Sequence, residues 1–270
     1  MAKRRPLDLE PIKQGFSAMA AEYDALAASH PVVIWMRQRI RAIVEGALAP
    51  GGSILEINAG SGLDAAYFAA KGYRVHAMDV APGMLESLSL KAGRPAAGGR
   101  LSFEARSSTD LAGVAGAPYD LVFSNLGGLN CIDDLSLVTR HLPAVLRPGG
   151  TTVLVLMPPI CPWELAQALR GHLRTARRRL TAGGTLANVG GATVPVWYHC
   201  AGKLARALGP DFETRSLRSL CSVCPPSFFH GFVRRHPRLT RALMRLDERI
   251  GGVWPVSQLG DFYVLVSRQR

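Results

Sequence analysis

Residues 54–62 read ILEINAGSG, an apolar run that leads into two closely spaced glycines. Gly60 and Gly62 can adopt positive φ or leave bare backbone, so a ligand can approach amide groups where a helix opens at Leu63. Asp79 ends the next apolar run, 17 residues after Gly62. An acid at the tip of a second strand can accept hydrogen bonds from both hydroxyls of a ribose. We therefore predict a site for an adenosine-containing cofactor; a plain strand–helix turn is the alternative.

The elements that must position these residues alternate along the chain. Residues 10–48 are predicted to be helical with a break at His30-Pro31. After the Pro50-Gly51-Gly52 turn, the predicted strands are SILEIN, YRVHAMD, LSFEA, YDLVFSN and TTVLVLM, separated by predicted helices. This order implies right-handed crossovers and a parallel sheet covered on both faces. The fold class is therefore a layered α/β sheet over residues 50–157.

The remaining third of the chain is less regular. We predict a basic helical piece at about 162–182, a glycine-rich stretch, a helix near 200–208, and two strands, FETRSLRSL and FYVLVS. Two insertions leave the sheet, after the strands at 151–157 and 211–218. If both strands run parallel to the others, the insertions leave from the carboxyl edge, where ligands bind in such sheets. The predicted organisation is a helical cap (1–49), a cofactor-binding core (50–157), and further strands with lid-forming insertions (158–270).

The run from Ile54 to Met84 resembles the cofactor-binding half of class I S-adenosylmethionine-dependent methyltransferases. The matching residues are Glu56, Gly60, Gly62, Asp79 and Pro148-Gly149-Gly150. The resemblance implies a three-layer Rossmann-like sandwich whose mostly parallel, seven-stranded sheet has an antiparallel last strand. It also implies S-adenosylmethionine as cofactor and S-adenosylhomocysteine as product. The glycines do not follow the G-x-G-x-x-G spacing that suits a pyrophosphate, which argues against a nicotinamide cofactor.

The resemblance also implies a set of cofactor contacts on the strand ends and the N-terminal helix. These residues are Tyr23, Glu56, Asn58, Gly60, Gly62, Asp79, Val80, Met84, Ser108, Asn125 and Leu126. Two positions depart from the family pattern. Asn58 stands where the family usually has its first glycine. After the third strand the chain has Ser107, Ser108, Thr109 and Asp110, so the residue that contacts adenine stays open.

Methyl transfer by in-line displacement asks the protein mainly to align two reactants and exclude water. A hydroxyl or ammonium acceptor would also need a general base. The candidates are His199 in VWYHC and Glu164 in CPWEL. Their alternative roles are a solvent-facing histidine before a helix and a helix N-terminal acid favoured by the macrodipole. Cys131 and Cys161 are expected to be buried, inert thiols rather than nucleophiles.

The residues after strand four bear on the acceptor. Amino-methylating enzymes of DNA bases usually carry Asn/Asp-Pro-Pro-aromatic there, whereas this chain has Asn125-Leu126-Gly127-Gly128. This difference disfavours nucleic acid and favours a small-molecule or lipid-like acceptor, with RNA methylation or a different use of the cofactor as alternatives. No metal is predicted, because Cys221 and Cys224 lack a second pair at zinc-binding spacing.

The chain has 32 Lys+Arg and 20 Asp+Glu, a net charge of +12, which attracts anions. Ten arginines fall in two groups, Arg170, Arg174, Arg177, Arg178 and Arg179, and Arg234, Arg235, Arg238, Arg241 and Arg245. They predict either solvated helix faces or an anionic partner such as a membrane surface or an acidic substrate.

Five cysteines, no long apolar run and no secretory signal favour a cytoplasmic protein. The oligomeric state is left open.

Overall fold

The computed structural model describes residues 8–181 and 183–270. Its α-helices are α1 (Glu10–Ser29), α2 (Pro31–Ala47), α3 (Leu63–Ala70), α4 (Pro82–Ala92), α5 (Ser136–Thr139), α6 (Leu142–Val145), α7 (Pro162–Leu165), α8 (Leu173–Arg177), α9 (Ala201–Leu208), α10 (His230–Arg235) and α11 (Pro237–Ile250). Its strands are β1 (Ser53–Ile57), β2 (Arg74–Asp79), β3 (Leu101–Ala105), β4 (Tyr119–Ser124), β5 (Leu146–Leu156), β6 (Thr185–Val189), β7 (Ala192–Val196), β8 (Phe212–Leu220) and β9 (Phe262–Gln269).

Seven of these strands form one sheet in the order β3-β2-β1-β4-β5-β9-β8. The pairs from β3 to β5 are parallel, and β9 is antiparallel to both of its neighbours. Strand β8 therefore runs in the same direction as β5. Of the seven strands only β9, the last along the chain, runs in the opposite direction. The predicted α/β fold with an antiparallel last strand is confirmed. The three-part division at residues 49 and 157 stays a prediction.

Helices cover both faces of the sheet, which is why its central strands, such as β1 and β4, are mostly apolar and buried. On β1, Ile54 belongs to one core cluster and Leu55 to the other, and both are fully buried. The first cluster joins the sheet to α2 and α3, for example through Met36 and Phe68. The second joins it to α5, α6 and α9, for example through Leu204. Alternate side chains of each central strand thus bind the three layers together.

The N-terminal region forms two helices with their boundary at the predicted break. Pro31 takes the first helical position of α2, where its missing N–H costs nothing. Helix α1 packs against α4 and against the β6–β7 hairpin. A Cβ on Gly15 would lie 2.6 Å from the carbonyl oxygen of Val189, so a glycine is required where α1 meets the hairpin.

The first insertion folds differently from the expectation. The glycine-rich stretch forms the hairpin β6–β7, which turns at Gly190 and Gly191 with φ of 55° and 86°. Two positive φ values match the turn that two-residue hairpins favour. The predicted basic helix at 162–182 is instead broken into the short helices α7 and α8 and two 3-10 turns, because Gly171 (φ 81°) interrupts it. The last residue of that prediction, 182, lies outside the described residues.

The second insertion leaves β8 at its carboxyl end, as predicted, and carries α10 and α11 before the chain returns as β9. Within the described part of the chain, no helix is both long and apolar enough to span a membrane.

Candidate cofactor and acceptor site

The glycine turn after β1 and the acid at the end of β2 meet directly. The Asp79 carboxylate accepts hydrogen bonds from the backbone N–H of Gly60 at 2.8 Å and of Ala81 at 2.9 Å. Gly60 has a φ of 57°, a conformation that glycine adopts without strain. The bend and the carboxylate therefore form one structural unit at the carboxyl edge of the parallel strands. This is the arrangement predicted from the sequence.

Burial raises the pKa of Asp79, and the N–H donors of Ala81 and Gly60 oppose that effect without cancelling it. An acid that is short of solvent and has unused lone pairs gains from further donors. Asp79 also faces a cavity. The hydroxyls of a ribose would be suitable donors.

The two glycines of the turn have different surroundings. A Cβ on Gly60 would have only the Met84 sulfur in reach, at 4.0 Å, so its free side faces the cavity. A Cβ on Gly62 would overlap the Leu88 side chain. Gly62 also caps α3 with a φ of 77°. Gly60 thus leaves room for a ligand, whereas Gly62 lets α4 pack closely.

Asn58, at the position of the family's first glycine, adopts the positive φ that this turn requires. Its φ is 56°, and asparagine is one of the few non-glycine residues that adopt this region readily. Its amide nitrogen donates to the Ser108 hydroxyl at 3.3 Å. Its side-chain oxygen is buried without a partner among the described residues. Since Asn58 lines the cavity, this oxygen can accept a hydrogen bond from a bound molecule.

A buried network fixes the end of β4. Asn125 donates to the Asp64 carboxylate at 2.6 Å, and Arg37 and Arg41 pair with the same carboxylate. Burial raises the pKa of Asp64, but the charges of the two arginines outweigh it and lower the pKa overall. Arg37 also donates to the Tyr23 hydroxyl at 3.1 Å. Tyr23 on α1 and Asn125 are therefore held by one ionic centre.

Glu56 lies behind the site rather than in it. It is 1% exposed and does not line the cavity. Burial raises its pKa well above the ordinary value, and the neighbouring Asp64 charge adds to this, whereas Arg37 and Arg41 act against it. Its position is that of a support beneath the glycine turn.

One cavity at this sheet edge brings together nine of the eleven residues predicted to hold the cofactor. Glu56 and Gly62 are the two that do not line it. The nine are Tyr23, Asn58, Gly60, Asp79, Val80, Met84, Ser108, Asn125 and Leu126. Ser107 also lines it, whereas Asp110 is exposed and lies near Arg106. After β3, the serines and not Asp110 therefore line the cavity, so Ser107 and Ser108 are the candidates for the adenine contact.

The rest of the cavity wall is apolar and was missed from the sequence. Leu9, Ile12 and Phe16 come from the start of α1, and the hairpin adds Ala187, Val189, Val194 and Val196. Polar groups here are few, notably Arg178 and Tyr198. The apolar spacing of residues 9, 12 and 16 is typical of a buried helix face. This spacing is the sequence signal that indicates a buried role for these three residues. The hairpin's position over the cavity depends on distant contacts.

His199 does not reach the cavity. It is fully buried, and its Nε2 lies 2.8 Å from the carbonyl oxygen of Ile132. Burial lowers its pKa, which favours the neutral ring. The alternative of a solvent-facing histidine is therefore wrong, and because His199 does not line the cavity we do not assign it the predicted role of general base.

Glu164 forms a structural ion cluster instead of facing the cavity. It accepts two hydrogen bonds from Arg178 at 2.6 Å and one from Arg179 at 2.8 Å. Arg179 also bonds Asp261 at 2.6 Å. Burial acts to raise the pKa of Glu164, but the arginines outweigh it and lower the pKa. An ionised, fully paired carboxylate is a poor base, so we do not assign it a catalytic role.

Cys131 lines the cavity. Cys161 is buried beside the carboxylates of Glu164 and Asp261. Burial raises the pKa of each thiol to about 12. Both thiols therefore stay protonated near neutral pH, as expected for inert cysteines.

Comparisons with known proteins agree with this geometry. Residues 54–150 match the model of the methyltransferase domain family. No curated protein sequence matches the chain significantly. Solved structures with similar folds include the 1,6-didemethyltoxoflavin-N1-methyltransferase of Burkholderia thailandensis (19% identity, 99% of this chain and 93% of that chain, TM-score 0.57). The CcbJ methyltransferase of Streptomyces caelestis is another (18%, 95% and 98%, TM-score 0.62). A third is the [4+2]-cyclase SpnF (13%, 96% and 94%, TM-score 0.62).

At these identities the structural likeness concerns the fold, and the domain match covers the strands and turns that build the site. The glycine bend, the strand-end acid and the strand order all agree with that match. Residues 54–150 match a methyltransferase domain, and the fold around them is similar to that of solved methyltransferases.

Proposed function

We propose that this methyltransferase acts on a small, largely apolar acceptor held beneath α1 and the β6–β7 hairpin. The observation that carries the proposal is that the Asp79–Gly60 unit and the apolar wall line the same cavity. Such a wall favours a lipid-like chain or a flat ring, because removing apolar surface from water supplies most of the binding energy. Arg178 and Tyr198 would then orient the acceptor's polar end.

The residues on the cofactor side fit S-adenosylmethionine. When bound, the cofactor supplies a methyl group activated by its sulfonium. Asp79 would accept hydrogen bonds from the ribose hydroxyls, and Gly60 leaves the backbone open to close approach. The unpartnered oxygen of Asn58 would accept from a donor on the cofactor. Tyr23 and the apolar residues of α1 would exclude water above it.

The lining residues also restrict the acceptor's chemistry. Among the described residues around the cavity, Asp79 is the only carboxylate and no histidine is present. Cys131 keeps its proton, because burial raises its pKa to about 12. We infer that the acceptor atom carries a free lone pair or negative charge before reaction, as a neutral amine, a ring nitrogen or an enolate does. Orientation, which is worth about 7–11 kcal/mol in favourable cases, is then the protein's main contribution.

Two other functions use the same fold. RNA methylation is favoured by the net charge of +12, but a largely apolar cavity wall suits a small molecule better. Chemistry other than methyl transfer is a candidate because the fold is similar to that of the [4+2]-cyclase SpnF.

A labelling experiment separates these functions. The purified chain is incubated with S-adenosylmethionine carrying a labelled methyl group and with separate cell fractions: organic extract, polar small molecules and total RNA. We expect label in a low-mass product from the organic extract, and much less label at limiting cofactor concentration when Asp79→Ala replaces the wild type. Label in RNA would contradict the proposal. It would also be contradicted if S-adenosylhomocysteine formed with none of the fractions.

A further inference from the structure

An exposed apolar surface lies on the first insertion, outside the cavity. Four leucines within residues 165–180 are exposed: Leu169 at 91%, Leu180 at 55%, Leu173 at 54% and Leu165 at 38%. Single exposed apolar residues are ordinary, but four exposed leucines on the one segment 165–180 exceed isolated exposure and make this segment a candidate interaction surface. The segment is broken into short helices and turns, and these leucines are exposed along it.

Arginines accompany the leucines on the same segment. Arg170, Arg174 and Arg177 are exposed, and no ion pair or hydrogen bond described for residues 8–181 and 183–270 involves their side chains. The one acid of residues 162–181 is Glu164, which is buried against Arg178 and Arg179. We call the four leucines and three arginines the Leu-Arg patch. Its exposed charge is entirely positive.

The Leu-Arg patch rests on a rigid base. Arg179 connects the segment to Asp261 and Glu164 with buried bonds of 2.6–2.8 Å. Trp163, in α7, packs against the rings of Phe229 and Phe232 at 5.3 and 5.1 Å. The patch is therefore displayed by a packed structure, and binding through it would not require the segment to fold first.

We propose that the Leu-Arg patch docks this protein onto an anionic membrane surface. Leucines that enter the boundary between headgroups and acyl chains gain apolar burial, while arginines beside them meet lipid phosphates. This pairing of exposed leucine with uncompensated arginine is complementary to both parts of such a surface. RNA would satisfy the arginines but leave the leucines in water.

The position of the patch connects it to the candidate site. Arg178, on the same segment, lines the cavity. Docking would therefore bring the cavity wall close to the lipid surface, from which a lipid-like acceptor could enter. Membrane docking itself does not require methyl transfer, so the two proposals fail independently.

Vesicle co-sedimentation of the full chain tests the docking. We expect binding to vesicles of phosphatidylcholine with phosphatidylserine, little binding to phosphatidylcholine alone, and weakening with added salt. The variant R170Q/R174Q/R177Q should bind more weakly by a factor on the order of a hundred, from roughly fivefold per arginine. The variant L169S/L173S should lose about tenfold or more through its apolar contribution.

The matched control is R238Q/R241Q/R245Q on α11, which removes the same charge from another exposed face. It should change vesicle binding by no more than about threefold, because it leaves every residue of the Leu-Arg patch in place. All variants should keep wild-type affinity for S-adenosylhomocysteine, which shows that they fold. The proposal would be overturned if the control lost as much vesicle binding as the patch variants, or if the wild type did not bind anionic vesicles. It would also be overturned if the patch mediated self-association or RNA binding instead of membrane binding.

Discussion

A Cβ atom on residue 128 would lie 2.5 Å from the Cβ of Asn58, so the glycine at 128 and the asparagine at 58 depend on each other. The site has an asparagine where related methyltransferases usually have their first glycine. Gly128, which follows strand β4, supplies the space that this side chain needs. The departure from the family pattern at Asn58 is thus accommodated by the glycine at position 128.

The first prediction concerns this pair. Gly128→Ala should destabilise the protein by about 1–3 kcal/mol through overpacking and should weaken cofactor binding. In the double variant N58G/G128A the clash disappears, so much of the loss should be recovered. Urea unfolding and calorimetry with S-adenosylhomocysteine measure both effects. Strictly additive losses in the double-mutant cycle would contradict the contact.

The second prediction separates the two glycines of the turn. Gly60→Val should abolish cofactor binding, because the side chain enters the cavity, while the sheet still folds at a cost of about 1–3 kcal/mol for its positive φ. Gly62→Val should destabilise the fold more, because its side chain would overlap Leu88. Thermal unfolding of both variants, followed by ligand calorimetry, distinguishes them. Equal stability of the two variants would be inconsistent with these roles.

The third prediction assigns Glu164 to stability. Glu164→Gln should cost about 3–5 kcal/mol, because it leaves buried arginine charge poorly compensated. Its pKa is lowered in the folded state, so its stabilising contribution is present above the ordinary carboxyl pKa and is lost as pH falls through the folded value. Urea midpoints measured from neutral to acid pH should therefore converge for wild type and variant. A normal midpoint combined with loss of the low-pH limb of the pH–rate profile would instead support catalysis.

The fourth prediction gives His199 a packing role. His199→Ala should lower stability by about 2–4 kcal/mol, since it leaves a cavity and the unpaired Ile132 carbonyl. The folded-state pKa of His199 is lowered, so the folded protein loses stability as pH falls below the ordinary value of 6.5. That acid-side loss should shrink in the variant. Cofactor affinity should stay unchanged, and a shifted pH–rate profile in His199→Gln would contradict the packing role.

The parts of the site that could be predicted are those that local backbone rules determine. Gly60 lies in the turn after β1 and Asp79 ends β2, and parallel strands bring their carboxyl ends to one edge. The parallel order of the sheet followed from apolar runs separated by helices. These inferences needed only neighbouring residues.

The parts that could not be predicted depend on distant partners. Nothing near Glu164 in the sequence indicates that Arg179 is also bound to Asp261 across the fold. The hairpin of residues 185–196 lines the cavity while packed against α1, a contact between segments far apart in the sequence. Burial and long-range pairing therefore decided which polar residues line the cavity, and spacing alone did not.

The central claim is that the Asp79 carboxylate and the Gly60 bend bind one adenosine. Calorimetric affinity for S-adenosylhomocysteine in Asp79→Ala tests it most directly, with Asp110→Ala as control, since Asp110 is an exposed acid beyond the cavity. Losing charge-assisted ribose bonds should cost about 1.5–3 kcal/mol, which is roughly a 10- to 150-fold weaker complex, while the control binds like wild type. Wild-type affinity in a folded Asp79→Ala would contradict the account.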